Sequence, residues 1–344
     1  MAAQVEMTSW PWMKGVGVAL ADPAPPLNEH DERPSAKDLV AQHRGAVEQV
    51  RQELEADPLY DACKHDELWI LRFLLSHKLS VKPALKAAKT TLAFRKEHRL
   101  DERDIRAHPV GKNCDNAVVR QHAAHTADGA VQFLVPDKRR GVIAFLHYAG
   151  IDQHGMIKNL DKSIWLPALG YMSEWSFQWV DYVTRTTGRM TKSVRLVDTR
   201  GFAMSQISYE CLKRDGDAMS VMEDCYPQML QGIFICNPPS WVHIPWKVCR
   251  NFLPKRLVSK IDFIRPDKNE NERKRLFKHI AEEHLPVCYG GRNTAWGAQN
   301  GGVHADGEAE ADAAELDALK RQADDEGGSD SDEFEEIYDD IPVS

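Results

Sequence analysis

Between residues 131 and 264 short apolar runs return five times, at 131–135, 142–148, 193–197, 231–236 and 260–264, with helix-period stretches between the later ones. Runs this short, rich in β-branched and aromatic residues, read as strands rather than buried helices. Strands that alternate with helices pair in parallel, because a parallel pair needs a long crossover, and the helices then cover the sheet. The pattern predicts an α/β layered fold. Residues 160–187 carry Met172, Trp175, Trp179 and Tyr182 at helical spacing, 205–225 give a second crossover helix, and 269–284 a charged one with Leu276, Phe277 and Ile280 inward.

Upstream the character differs. Helical patterns over 35–55, 68–75 and 81–99 are joined by turns, the last with Pro83 in its first turn, and no strand is expected before about residue 110. The reading is a disordered leader over 1–34, whose large anchors are Trp10 and Trp12, then a helical subdomain over 35–110, an α/β domain over 111–293 and a disordered acidic tail over 294–344.

The formal charge of −8 hides an asymmetry: residues 301–344 hold sixteen acidic and two basic side chains, which leaves the other 300 residues with a net +6. A mildly basic body with an acidic tail suits transient contact with anionic surfaces. Lys and Arg do not form aromatic-interleaved arrays, so nucleic acid is not an expected partner. The seven cysteines lack a CxxC pair, which argues against a disulfide framework or a zinc knuckle and for a reducing, cytoplasmic setting. The first ten residues resemble no secretory signal, and no apolar run reaches the roughly 20 residues that span a bilayer, so membrane contact is expected to be peripheral.

The stretch 225–264 carries the functional argument. After the run 231–236, Asn237-Pro238-Pro239 stops pairing, and residues 240–253 form an expected helix with Trp241, Val242, Trp246, Phe252 and Leu253 on an almost wholly apolar surface. Ser240 is a candidate cap, and Pro245 predicts a kink or a later start. The following Pro254-Lys255-Arg256 is a basic step facing anionic material. Such a helix belongs either to a core or to a lid over a cavity, and the Trp and Met stripe of 172–182 has the same two readings. Catalysis has little support: there is no GxSxG elbow, phosphate loop, dinucleotide fingerprint or HExxH helix. Asp198 ends a strand, as a catalytic acid or as a turn cap; His122, His125, His279 and His284 read as surface histidines rather than metal ligands, and no metal or cofactor is expected.

The blocks Leu71-Arg72-Phe73-Leu74, His77-Lys78-Leu79-Ser80-Val81, Ala93-Phe94-Arg95-Lys96-Glu97, Leu196-Val197-Asp198-Thr199-Arg200-Gly201, Tyr226-Pro227, 233–238, Phe252-Leu253-Pro254, Val258-Ser259-Lys260-Ile261 and 285–291 resemble, in order across about 59–293, the CRAL-TRIO lipid-binding domains of phosphatidylinositol-transfer-like proteins. The resemblance implies a helical N-terminal subdomain, a mostly parallel sheet flooring an apolar lipid pocket, and a mobile gate over 240–253. It implies a non-enzymatic monomer that exchanges one phospholipid, phosphatidylinositol above all, with membranes it touches transiently. The two phosphate lysines of the family match Lys78 and Lys260. His77 stands where the family has Arg, and Gln228 where it has Glu, which implies weaker discrimination of the inositol headgroup. Carriers of retinoid or tocopherol and non-transferring scaffolds use the same fold and remain open.

Overall fold

The computed structural model describes residues 20–294 apart from 28, 30, 107 and 136–138. Trp10, Trp12 and nearly all of the acidic tail lie outside the described residues. Residues 20–27 run against the body, with Ala21 N and Ala24 N donating to the carbonyls of Arg185 and Thr187 at 3.0 and 2.8 Å.

The N-terminal part is helical throughout. The stretch expected as one helix over 35–55 is two, α1 (Ala36–Gln42) and α2 (Arg44–Leu54), parted at His43, whose backbone leaves the helical region (φ −110, ψ 18) just before Gly45. α3 (Glu67–Ser76) starts under the Asp66 cap, which accepts from Trp69 N at 3.0 Å, and α4 (Val81–Glu97) packs on it through Ala84, Ala87 and Ala88. These small residues let the helix axes approach, and each fully buried Ile70, Leu71, Phe73 or Leu74 contributes on the order of 2 kcal/mol.

Then α5 (Ala117–Ala123), β1 (Val131–Leu134), β2 (Ile143–His147), α6 (Gln153–Asn159), α7 (Lys162–Thr187), β3 (Ser193–Asp198), α8 (Tyr209–Cys225), β4 (Leu230–Cys236), α9 (His243–Cys249), α10 (Lys255–Val258), β5 (Ile261–Ile264) and α11 (Glu270–Phe277) follow in order. The five strands form one sheet in sequential order β1-β2-β3-β4-β5. The β1–β2 pair is antiparallel and the other three pairs are parallel. The predicted mostly parallel α/β architecture is present. All five runs are strands within a residue or two, whereas the sequence pattern did not signal α5 or α6.

Side chains alternate across the sheet. Phe145, Leu196, Phe234 and Ile264 face a core closed by Leu276 of α11 and by Ile280, Leu285 and Tyr289. Asp198 belongs to this side as a structural group. It accepts from Arg200 N at 3.0 Å and from the Tyr289 hydroxyl at 2.8 Å, which is the turn-cap reading. The opposite face is open to a cavity.

Buried ion pairs tie the helical part to α7. Arg95 makes a two-pronged bond to Glu174 at 2.9 and 3.1 Å, while Asp181 holds both Arg72 (3.2 Å) and Arg185 (2.6 Å). The α3–α4 turn is thereby fixed relative to the cavity wall.

Candidate functional site

The cavity has a volume of about 770 Å³. Its floor is the second sheet face, where Leu146, Val197, Ile233, Ile235 and Phe263 alternate with the core-facing set. Leu169, Met172, Ser173 and Ser176 of α7 form one wall, and Met219 and Met222 of α8 another. The cover is Val242, Pro245, Trp246, Cys249 and Leu253, with Trp246 edge-on to Phe263 at 5.3 Å.

This cover is shorter than the expected helix over 240–253. α9 begins at His243, with no side-chain cap, and ends at Cys249; residues 250–253 turn before α10. Pro245 sits within the first turn, where its missing N–H costs nothing, so the late start was the correct alternative. Gly216 of α8 lies directly under this turn, where a Cβ would stand 2.8 Å from both Cβ and O of Phe252.

Of the side chains proposed from sequence, Met172, Val242, Trp246 and Leu253 line the cavity. Trp175, Trp179 and Tyr182 lie outside the lining, in a separate core with Ile105 and Val142, and Arg106 stacks 4.5 Å from the Tyr182 ring centre. At about 100° per residue, the 169/172/173/176 stripe is centred roughly 110° around α7 from the aromatic one. Trp241 packs on Phe202 at 5.9 Å, and Phe252 on Tyr209 at 5.1 Å, both likewise outside the lining.

Beside the cavity, next to its lining residue Glu223, three of the four proposed headgroup residues meet. Gln228 Nε2 donates to Ser76 Oγ at 3.1 Å, and Lys260 Nζ bonds Glu223 Oε1 at 3.3 Å. Arg256 links them: it donates to the Ser76 carbonyl at 3.2 Å, lies 3.4 Å from His77 Nε2, and pairs with Asp224 at 2.5 Å and Glu223 at 3.6 Å. Burial, and next the Arg256 charge, lower the His77 pKa, so this ring is neutral near pH 7. Lys78 is exposed on the adjoining turn and makes no hydrogen bond or ion pair among the described residues.

The backbone here is strained. Lys78, Leu79 and Gln228 hold φ values of 52, 63 and 58, a left-handed region that costs side-chain-bearing residues about 1–3 kcal/mol each. Arg256 corrects the expectation of a basic step facing outward, since its guanidinium turns back onto two α8 carboxylates. Sequence reasoning also passed over Ser76, Glu223, Arg195 and Asp215; Arg195 alone carried a signal, because it shares strand parity with the cavity residue Val197.

His122 is another correction. Its Nε2 is buried without a hydrogen bond, and burial, then the neighbouring His125, lower its pKa to about 4, unlike a surface histidine. Among the described residues no group of His, Cys, Asp or Glu fit to hold a metal is present, and no helix is long and apolar enough to cross a membrane.

A largely parallel sheet with one face packed on helices and the other open to a helix-covered apolar cavity defines the class. Residues 127–291 match the sequence model of the CRAL/TRIO domain. Similar proteins include the protein real-time of Drosophila pseudoobscura pseudoobscura, 24% identical over 289 residues and 79% of this chain, which spans 40% of that longer protein. SEC14 cytosolic factors are similar over more of their length. That of Eremothecium gossypii is 24% identical over 76% of this chain and 80% of its own, and that of Candida glabrata 26% over 72% and 78%. The crystal structure of Sfh5 aligns with a TM-score of 0.49 at 12% identity, over 86% of this chain and 99% of that one.

Proposed function

We propose that this protein binds one phospholipid, with acyl chains in the cavity and phosphate at the edge cluster, and exchanges it with membranes without catalysing a reaction. The observation that carries this reading is the 770 Å³ cavity, whose cover and most of whose floor are apolar, with Lys260, Arg256, Gln228 and His77 gathered beside its lining residue Glu223. Two acyl chains of about 30 methylenes in all, at ~0.8 kcal/mol each, resist release into water by on the order of 25 kcal/mol, whereas transfer between bilayer and cavity is nearly balanced.

The gate on this reading is 242–253, with α10 as its hinge partner. Lys260 and Lys78 supply the phosphate contacts, and Lys260 exchanges Glu223 for the lipid. Gln228 accepts from a sugar hydroxyl without charge assistance, so phosphatidylinositol is preferred only modestly. The test is lipid extraction and mass spectrometry of the purified full chain, followed by competition for uptake from mixed phosphatidylinositol and phosphatidylcholine vesicles. Lys260→Ala should lower phosphatidylinositol uptake about tenfold, and Gln228→Glu should sharpen the preference. Absence of any stoichiometric amphiphile, both as purified and after vesicle incubation, would count against the carrier; unchanged uptake by Lys260→Ala would remove the phosphate site.

A further inference from the structure

The cavity has a second polar station. Arg195, in the central strand β3, faces into it between Ala144 on β2 and Ile233 on β4, both of them cavity residues. Among the described residues its guanidinium makes no hydrogen bond and no ion pair. A guanidinium stays charged and offers five N–H donors, so one set among apolar side chains without a partner costs stability unless something else answers it. Glu223 is the carboxylate that most supports its charge, but Glu223 is bonded to Lys260. Asp215, two turns earlier on α8, accepts from Trp165 Nε1 at 2.9 Å.

Two further polar nitrogens belong to lining residues but are sealed from the space itself. Gln153 is 2% exposed, its Oε1 accepts from Ser208 N at 2.8 Å, and its buried Nε2 has the Tyr148 hydroxyl as polar neighbour. His122 Nε2 is buried and unbonded, its ring 5.7 Å from Trp165. Both residues line the cavity. An arginine retained for structure spends its donors on carbonyls or carboxylates, and a buried amide and imidazole normally find partners. Of the three, Arg195 alone is open to the cavity, and its unspent donors suit a ligand acceptor.

We propose that Arg195 forms an oxyanion site inside the cavity, which receives the carboxylate or phosphate of an acidic amphiphile bound head inward. The proposal rests on the carrier reading but not on the edge cluster. The Arg195 fork matches a two-oxygen acceptor. Met219 and Met222 leave an apolar path for the tail toward β4, β5 and the cover. Asp215 opposes an oxyanion here.

The experiment loads the full chain from phosphatidylcholine vesicles containing oleate, phosphatidate or uncharged dioleoylglycerol, and counts each probe by mass spectrometry after re-isolation. Wild type should load at least one acid, and whether it is oleate or phosphatidate separates a carboxylate from a phosphate ligand. Arg195→Met should lower loading of that acid at least about tenfold and leave dioleoylglycerol within about twofold, with Arg195→Lys between them. The melting temperature of Arg195→Met should match or exceed wild type; a fall of more than about 5 °C assigns Arg195 to the scaffold and overturns the site. Equal loading of acids by wild type and Arg195→Met also overturns it. Wild type that takes dioleoylglycerol but neither acid removes this site and leaves the carrier standing, whereas wild type that takes none of the three removes both.

Discussion

Asp215→Asn tests the electrostatics of the cavity through stability alone. Burial, only partly offset by the Trp165 indole and by Arg195, raises the Asp215 pKa from 3.8 to about 6. At about 1.4 kcal/mol for each tenfold change in proton affinity, this carboxylate costs the folded state about 3 kcal/mol wherever it is ionised. The sign follows from the folded pKa lying above the unfolded one. Above about pH 6 both states are ionised and the folded one bears the whole cost; below about pH 4 both are protonated and the cost is gone. Asn keeps an oxygen to accept from Trp165 and has no charge to bury. The variant should therefore be more stable near pH 7.5 by up to about 3 kcal/mol, or roughly 6–12 °C in melting temperature, and the gain should fade toward pH 4. The other titratable groups facing Asp215, the Tyr148 hydroxyl and the Cys211 and Cys249 thiols, are pushed upward chiefly by burial and stay neutral throughout that window. Thermal and urea unfolding of both proteins at the two pH values measure it. A variant no more stable near neutrality, or one equally stabilised at both pH values, would refute the argument.

The ion network between the helical part and α7 gives a second prediction. Arg72 is fully buried, with Nε and Nη1 already unpartnered, so Asp181→Leu should cost about 3–5 kcal/mol in urea unfolding. Adding Arg72→Met should recover much of that loss, and simple addition of two losses would contradict the account. At the cover, Gly216→Ala puts a methyl 2.8 Å from Phe252, which should displace the 250–253 turn and speed its amide exchange while β3 and β4 stay protected; unchanged exchange would mean the turn is not seated on Gly216.

What could be read from the residues and what could not have separate physical causes. Strand positions were legible because a sheet buried on both faces needs short apolar runs, and the period of two then places Val197 and Ile235 on one face and Leu196 and Phe234 on the other. α5 and α6 were not legible, since at seven residues each they complete barely two helical turns. The α7 wall was misread for a related reason. Aromatic side chains dominate a hydropathy pattern, yet Trp175 and Trp179 fill volume, whereas Ser173 and Ser176 leave it, and it is the small side chains that make a cavity. The edge cluster shows the remaining limit. Family-like blocks singled out Lys260, His77 and Gln228, but nothing local to Pro254-Lys255-Arg256 indicates that Arg256 folds back onto Glu223 and Asp224, more than thirty residues earlier on another helix. Long, flexible side chains choose partners from whatever the fold brings near, so charge runs specify a surface less reliably than apolar periodicity specifies a core. Arg195 is the informative exception: a charged residue in a short buried strand, in register with apolar neighbours, contradicts the pattern around it, and that contradiction is visible without coordinates and marks where the cavity departs from a plain hydrophobic fold.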